Sequence, residues 1–232
     1  MIMPLNDAEP NHFGNAPIMT LSIILLNTLI FGFELWLLQK GLVYFRALIV
    51  LFGSVPDWIM HQQYGGAITS ITSAFLHGGW SHLIGNMIFL WVFGRRVEDA
   101  CGAWRFLGYY LFCAVFSDII SILVDPGSPI PSIGASGAIF GLMGAYLLIY
   151  PGGRIRTLVW LIVPLFPRIR AIWIILVYLI IQIPPALNVL VYGSGYYQVG
   201  YWGHLGGFFA AVFFPFFMRP EAFERYVNDV PV

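Results

Sequence analysis

The chain has 232 residues, of which 59% are hydrophobic and only 9% charged, against about 25% charged in an ordinary soluble domain. Water is therefore not its main solvent. Eleven Lys and Arg balance eleven Asp and Glu, so no basic excess points to nucleic acid and no charge excess points to an oppositely charged protein partner. The two cysteines, Cys101 and Cys113, have no paired spacing, which argues against a disulfide framework or a thiolate metal site.

A spanning helix needs about 20 mostly apolar residues, and the chain offers six such runs. Residues 1–16, with Asp7, Glu9, Pro10 and several Asn, read as a short disordered cytoplasmic tail. They contain no Lys or Arg, which a signal or transit peptide would need, so the first apolar run, 17–38, is read as a retained span. The connection 39–81 holds Trp58, Tyr64 and Trp80 and suits an interfacial loop with short amphipathic helices, because Trp and Tyr favour the membrane–water boundary. The further spans expected are 82–98, 104–124, 136–150, 171–187 and 202–218. Residues 157–167 are apolar too, but Pro164 and Pro167 interrupt them and Arg168 and Arg170 close them, so they are read as interfacial. The fold class is thus an all-α membrane protein, a six-helix bundle over 17–218 with a long first loop, and 219–232 form a cytoplasmic C-terminal tail.

Arg95, Arg96, Arg105, Arg154, Arg156, Arg168, Arg170, Arg219 and Arg225 fall on one side of this layout, leaving only Lys40 and Arg46 on the other. The positive-inside tendency makes the first side cytoplasmic and puts both termini there. The expected location is a bacterial inner membrane, with loops 125–135 and 188–201 facing out.

Span four opens on Gly134-Ala135-Ser136-Gly137 after a Pro-rich loop. From Ser136 to Tyr150 it is about 22 Å long at 1.5 Å per residue, against a hydrocarbon core of about 30 Å. If its inner end reaches the cytoplasmic boundary, Ser136 lies below the outer surface, and the irregular backbone leading to it is tolerated there only beside protein or a watery cavity. Span six begins Trp202-Gly203-His204, which sets His204 at the same depth. A histidine within reach of a serine can take its proton as general base, and an ionisable residue inside the membrane is a functional candidate by default. Small residues on both spans, Gly137, Gly141 and Gly144 facing Gly203, Gly206 and Gly207, allow close approach. Span two carries His82 and Asn86 at its outer end, on one helix face by their i, i+4 spacing. Such donors, with the Ser136 backbone N–H, can form an oxyanion hole.

Each feature alone also has a structural reading. Gly-x-Ser-Gly is a common packing motif in membrane helices, and His204 or the His82/Asn86 pair can serve as hydrogen-bonding glue between helices. Their shared depth favours chemistry. Glu34, Asp118 and Asp125 are assigned structural or interfacial roles and His77 a loop-shaping one.

Together, Gly-Ala-Ser-Gly at 134–137, His82-x-x-x-Asn86, Gly203-His204, Phe-Leu-His-Gly-Gly-Trp at 75–80 and Val97-Glu98-Asp99 resemble the signature of the rhomboid intramembrane serine proteases. The resemblance covers nearly the whole membrane core. It implies a Ser–His dyad without an acidic third member: Ser136 as nucleophile, His204 as base, His82 and Asn86 as oxyanion donors, Gly134 at the site, and Phe140 packed on the histidine. One departure is that Ile68-Thr69 stand where a Trp-Arg pair is often found, which bears on the first loop and not on the dyad. The implied function is endoproteolysis of transmembrane segments of other membrane proteins, with no cofactor and no metal, the bilayer and membrane-protein substrates being the partners and nucleic acid none. The alternatives are a catalytically silent rhomboid-like protein binding membrane clients and a small transporter; no inverted repeat supports the latter.

Overall fold

Apolar runs without internal proline form the longest helices. In the computed structural model, described over residues 2–7, 12–14, 16–160, 163–193, 199–228, 230 and 232, strand β1 (Ile2–Asp7) precedes α1 (Ile18–Lys40). Helix α1 has 23 residues and stops at Gly41, whose φ of 141° is open to glycine. The long connection then folds as α2 (Leu42–Phe52), α3 (Pro56–Met60) and a helical stretch over residues 66–75 containing α4 (Thr69–Thr72). Helix α5 (Trp80–Phe89) continues through a π-helical turn, Leu90–Gly94, into α6 (Arg95–Cys101). Gly102, at φ 78°, turns the chain into α7 (Ala103–Val124), 22 residues that end before Pro126.

Helix α8 (Ser136–Ile149) is short, 14 residues, or about 21 Å. Strands β2 (Arg154–Trp160), β3 (Pro164–Leu165) and β4 (Arg168–Arg170) follow it, and α9 (Ala171–Ile180) and α10 (Ile183–Tyr192) form one apolar run broken before Pro184 and Pro185. The last helices are α11 (Tyr201–Phe209), prolonged as a 3₁₀ helix over Ala210–Phe217, and α12 (Pro220–Val227).

Among the described residues three helices are long and apolar enough to cross a membrane, Ile18–Lys40, Ala103–Val124 and Ala171–Tyr192, and a fourth if Tyr201–Phe217 is joined to α12 across a 106° bend. The other runs expected to span, 82–98 and 136–150, are helical but interrupted by the π turn or short.

The N-terminal tail departs from the expected disorder: Ile2–Asp7 pairs antiparallel with β2, from Ile2 opposite Val159 to Asp7 opposite Ile155. The Asp7 carboxylate, its side chain fully buried, meets both Arg95 and Arg96. A strand that depends on a partner some 150 residues away leaves no local trace in its own sequence. Glu9 and Pro10 lie outside the described residues. Of the apolar stretch 157–167, residues 157–160 belong to β2, which lies in this sheet between β1 and the β3 and β4 strands, and residues 164–165 form β3; residues 161 and 162 lie outside the described residues.

The same end of the molecule is knit together by Glu98. Its carboxylate accepts the Met19 and Thr20 N–H groups at 2.8 and 2.7 Å and the Thr20 hydroxyl at 2.7 Å, satisfying orphan donors at the start of α1. Arg219 and Arg225 stand over the Phe13 ring at 4.6 and 5.8 Å. Both chain termini therefore share an end with Arg95, Arg96 and the β2 sheet.

Helices α7, α8 and α11 form the centre of the fold, and glycine sets how closely they pack. A Cβ on Gly207 would fall 2.0 Å from the Gly137 carbonyl oxygen, and one on Gly137 would fall 2.0 Å from Ser117 Oγ. Backbone cannot yield as a flexible side chain does, so Gly207→Ala is expected to lower thermal stability by at least the ~1–3 kcal/mol typical of overpacking. Gly85→Ala, whose Cβ would meet nothing within 4 Å, is expected to be neutral or stabilising by up to about 1 kcal/mol. Thermal unfolding of the two variants in detergent checks the contrast, and equal melting temperatures would contradict it.

Candidate active site

Ser136 is the first residue of α8, and the loop that delivers it is anchored by the long first connection. Ser54 and Ser132 exchange backbone hydrogen bonds of 3.0 and 2.7 Å, and the Gly134 N–H donates to the Ser73 carbonyl at 2.9 Å. Asp118 on α7 locks the connection from behind, accepting from Ser54 Oγ at 2.7 Å and Ser70 Oγ at 2.5 Å. These bonds give Asp118 the structural role expected of it. They also hold the first loop in place with Ile68-Thr69 where the Trp-Arg pair was noted as absent.

Across the tight α8–α11 contact, the Ser136 hydroxyl lies 2.8 Å from His204 Nε2. Phe140, one turn along α8, stacks on the imidazole with centroids 4.6 Å apart and planes 9° from parallel. Ser117, between the two helices, donates to the Gly203 carbonyl at 2.8 Å and fixes the first turn of α11. The structure thus brings together Ser136, His204 and Phe140, which are distant in sequence.

His82 and Asn86 converge on Gly134. A Cβ there would sit 2.6 Å from His82 Nε2 and 3.5 Å from Asn86 Nδ2, and the residue's φ is 119°. Any side chain at 134 would clash and be strained, so glycine is required where these two donors point at the residues just before Ser136. His77 completes the group: its Nε2 lies 3.0 Å from Asn86 Nδ2 and its backbone N–H donates to Glu34 at 3.0 Å. In its loop, burial first and then the neighbouring His82 push the His77 imidazole down to about 4. It is neutral near pH 7 and can accept an Asn86 N–H, leaving the second N–H of that amide for another acceptor.

A cavity of about 40 Å³ lies against the pair, lined by Ser70, Ser117, Asp118, Ser136, Gly203 and His204 among others. A polar space of this size holds a few waters and no peptide. No group of three or more His, Cys, Asp or Glu among the described residues is placed to hold a metal ion.

Two residues with clear roles in this geometry were not singled out in the sequence, Ser117 and Gln182. Gln182 Oε1 lies 2.9 Å from His204 Nδ1. Its signal was a lone amide inside an apolar run, one residue removed from the pair Pro184-Pro185.

An apolar helical chain with helices long enough to cross a membrane, holding a partly buried serine–histidine contact beside a His/Asn pair, is of the class of helical membrane proteins. The chain belongs to the rhomboid family: the family's Rhomboid domain matches residues 64–221. It is 36% identical over 101 residues to Rhomboid-like protein 11, chloroplastic, of Arabidopsis thaliana, covering 44% of this chain and 32% of that protein. To Rhomboid protease GluP of Bacillus subtilis (strain 168) it is 39% identical over 106 residues, 46% of this chain and 20% of that protein. To Rhomboid-like protease 3 of Toxoplasma gondii it is 28% identical over 162 residues, 69% of this chain and 53% of that protein. The matches therefore span from a fifth to about half of these relatives' own lengths.

Proposed function

We propose that the chain is an intramembrane serine endopeptidase that cleaves transmembrane segments of other membrane proteins through Ser136 and His204. The observation that carries this reading is the 2.8 Å contact between Ser136 Oγ and His204 Nε2, a nucleophile and a base within hydrogen-bond reach, beside a polar cavity.

The chemistry follows from the donors and acceptors in place. Ser136 Oγ attacks the scissile carbonyl carbon while its proton passes to His204 Nε2, and the carbonyl oxygen becomes an oxyanion. His82, Asn86 and the Ser136 N–H donate to that oxygen, and the N-terminal end of α8 favours the same negative charge. Collapse breaks the C–N bond, His204 returns its proton to the leaving amine, and an ester remains on Ser136. A water from the cavity then attacks the ester, giving one proton to His204. The bond between Ser136 Oγ and the acyl carbon breaks, the proton returns to Oγ, and the product leaves as a carboxylic acid whose remaining proton ionises to water. No cofactor is needed at any step.

We read the helices as six spans, the short α8 leaving Ser136 below the outer boundary, with both termini and the β2 sheet on the cytoplasmic side of a bacterial inner membrane. The scissile bond then falls in the outer part of a substrate helix, whose carbonyl must first be freed from its own backbone hydrogen bond. Substrates with Gly or Pro near the cut, which weaken the helix, and a small residue just before it, to suit the Gly-lined site, are preferred. The test is reconstitution in vesicles with a single-span model substrate, followed by mass spectrometry of both fragments. Cleavage in the outer half, slowed when the helix breakers are changed to Leu, is the expected result. Cuts in the cytoplasmic half contradict the orientation, and a substrate that copurifies uncut favours a catalytically silent, client-binding protein.

A further inference from the structure

We infer that Gln182 is a positioning residue for His204, taking the orienting role that a carboxylate fills in a three-membered serine protease site; this rests on the Ser136–His204 reading above. The argument begins with the break between α9 and α10. In an unbroken helix the Gln182 N–H would bond the Tyr178 carbonyl four residues back. It bonds the Leu179 carbonyl instead, at 3.0 Å, as the chain tightens ahead of Pro184 and Pro185. The Tyr178 carbonyl thus lacks its usual backbone donor, and the Gln182 side chain supplies one, Nε2 to oxygen at 2.9 Å.

That bond decides which way the amide faces. A carbonyl only accepts, so the end of the Gln182 amide on Tyr178 is the NH₂ and the other end is the oxygen. The oxygen lies 2.9 Å from His204 Nδ1 and can only accept as well. The proton of the neutral imidazole is therefore on Nδ1, and Nε2 presents its lone pair to the Ser136 hydroxyl 2.8 Å away. A helix break thus selects the tautomer of His204 that can act as a base. Phe140, stacked on the ring, limits tilting, while Gln182 limits rotation in the ring plane. Gln182 is itself 7% exposed, so water does not compete for this bond. When His204 takes the serine proton, the same oxygen stabilises the imidazolium.

Kinetics with a model substrate distinguish positioning from simple packing. The other titratable side chains facing this region are His82 on α5, close enough to act on His204 electrostatically, and Asp118 on α7, which lines the cavity; all variants retain both. Gln182→Leu keeps the volume and removes both the acceptor on Nδ1 and the donor to the Tyr178 carbonyl. It is expected to lower kcat roughly tenfold or more with KM unchanged, within the ~10⁴-fold cost of a wrongly set tautomer in a serine protease. Gln182→Glu keeps an acceptor on Nδ1, loses the NH₂ that bonds the Tyr178 carbonyl just as Gln182→Leu does, and adds a negative charge, which raises the pKa of a neighbouring histidine, by about 1–3 units for a close pair. It is expected to recover part of the kcat lost in Gln182→Leu and to shift the acidic limb of the kcat/KM profile upward by a unit or more. The proposal is overturned if Gln182→Leu turns over at the parental rate, or if Gln182→Glu leaves the acidic limb where it was. Ser136→Ala, run alongside, separates the two readings. Cleavage that survives Ser136→Ala defeats the serine mechanism itself, whereas serine-dependent cleavage with an unmoved limb defeats only the role of Gln182.

Discussion

Ser136→Ala is expected to abolish cleavage of a model membrane substrate while leaving the fold intact. The substitution removes one oxygen that donates to His204 Nε2 and touches none of the bonds that anchor the preceding loop at Ser54, Ser73 and Ser132. Without that oxygen no acyl-enzyme can form on residue 136. His204→Ala is expected to be nearly as severe, because an unassisted serine is a weak nucleophile at neutral pH. Combining the two substitutions should cost little more than either, since residues that act as a unit are strongly non-additive. Initial rates and melting temperatures, measured together, check this: full cleavage by either single variant would defeat the dyad, and a lowered melting temperature would show that the loss is structural.

The second large effect falls on the proposed oxyanion donors. Replacing either His82 or Asn86 by Ala is expected to reduce kcat about 10²–10³-fold, or roughly 3–4 kcal/mol, the usual cost of losing one such donor. Some turnover should survive each change, because the Ser136 N–H remains. Asn86→Ala should also disturb the loop, since it leaves His77 Nε2, now buried, without its partner at 3.0 Å; His82→Ala should not. A loss of stability confined to Asn86→Ala, with turnover lowered in both, is the expected pattern. Full turnover in both variants and in their double would remove the oxyanion role.

How much of this was legible in the chain differs from residue to residue. Ser136, His204, His82 and Asn86 could be read because hydropathy sets depth and their motifs resemble a known signature, and the structure sets Ser136 Oγ 2.8 Å from His204 Nε2 with His82 and Asn86 against Gly134. Glycines 137, 203 and 207 declared the close approach, and the structure uses them so, with one addition: Ser117 of α7 fills the space beside Gly137. The pairing of Ile2–Asp7 with β2 was not legible, because strand partners far apart in sequence leave no periodic pattern and the hydropathy of the tail is that of a loop. Nor was the Asp118 bond to Ser54 and Ser70, since a carboxylate in an apolar helix announces burial without naming its partner. Gln182 was hidden for a different reason. Its function depends on a helix break that frees one carbonyl, a consequence of backbone geometry that Pro184 and Pro185 hint at but do not specify.

The most direct test of the central claim is covalent labelling of the reconstituted chain with a fluorophosphonate, followed by peptide mass spectrometry. A serine is phosphonylated by such a probe only when a base activates it, so the account predicts one adduct, on the peptide containing Ser136, lost in Ser136→Ala and strongly reduced in His204→Ala. An adduct on another serine, or substrate cleavage that continues while Ser136 is fully modified, would contradict it.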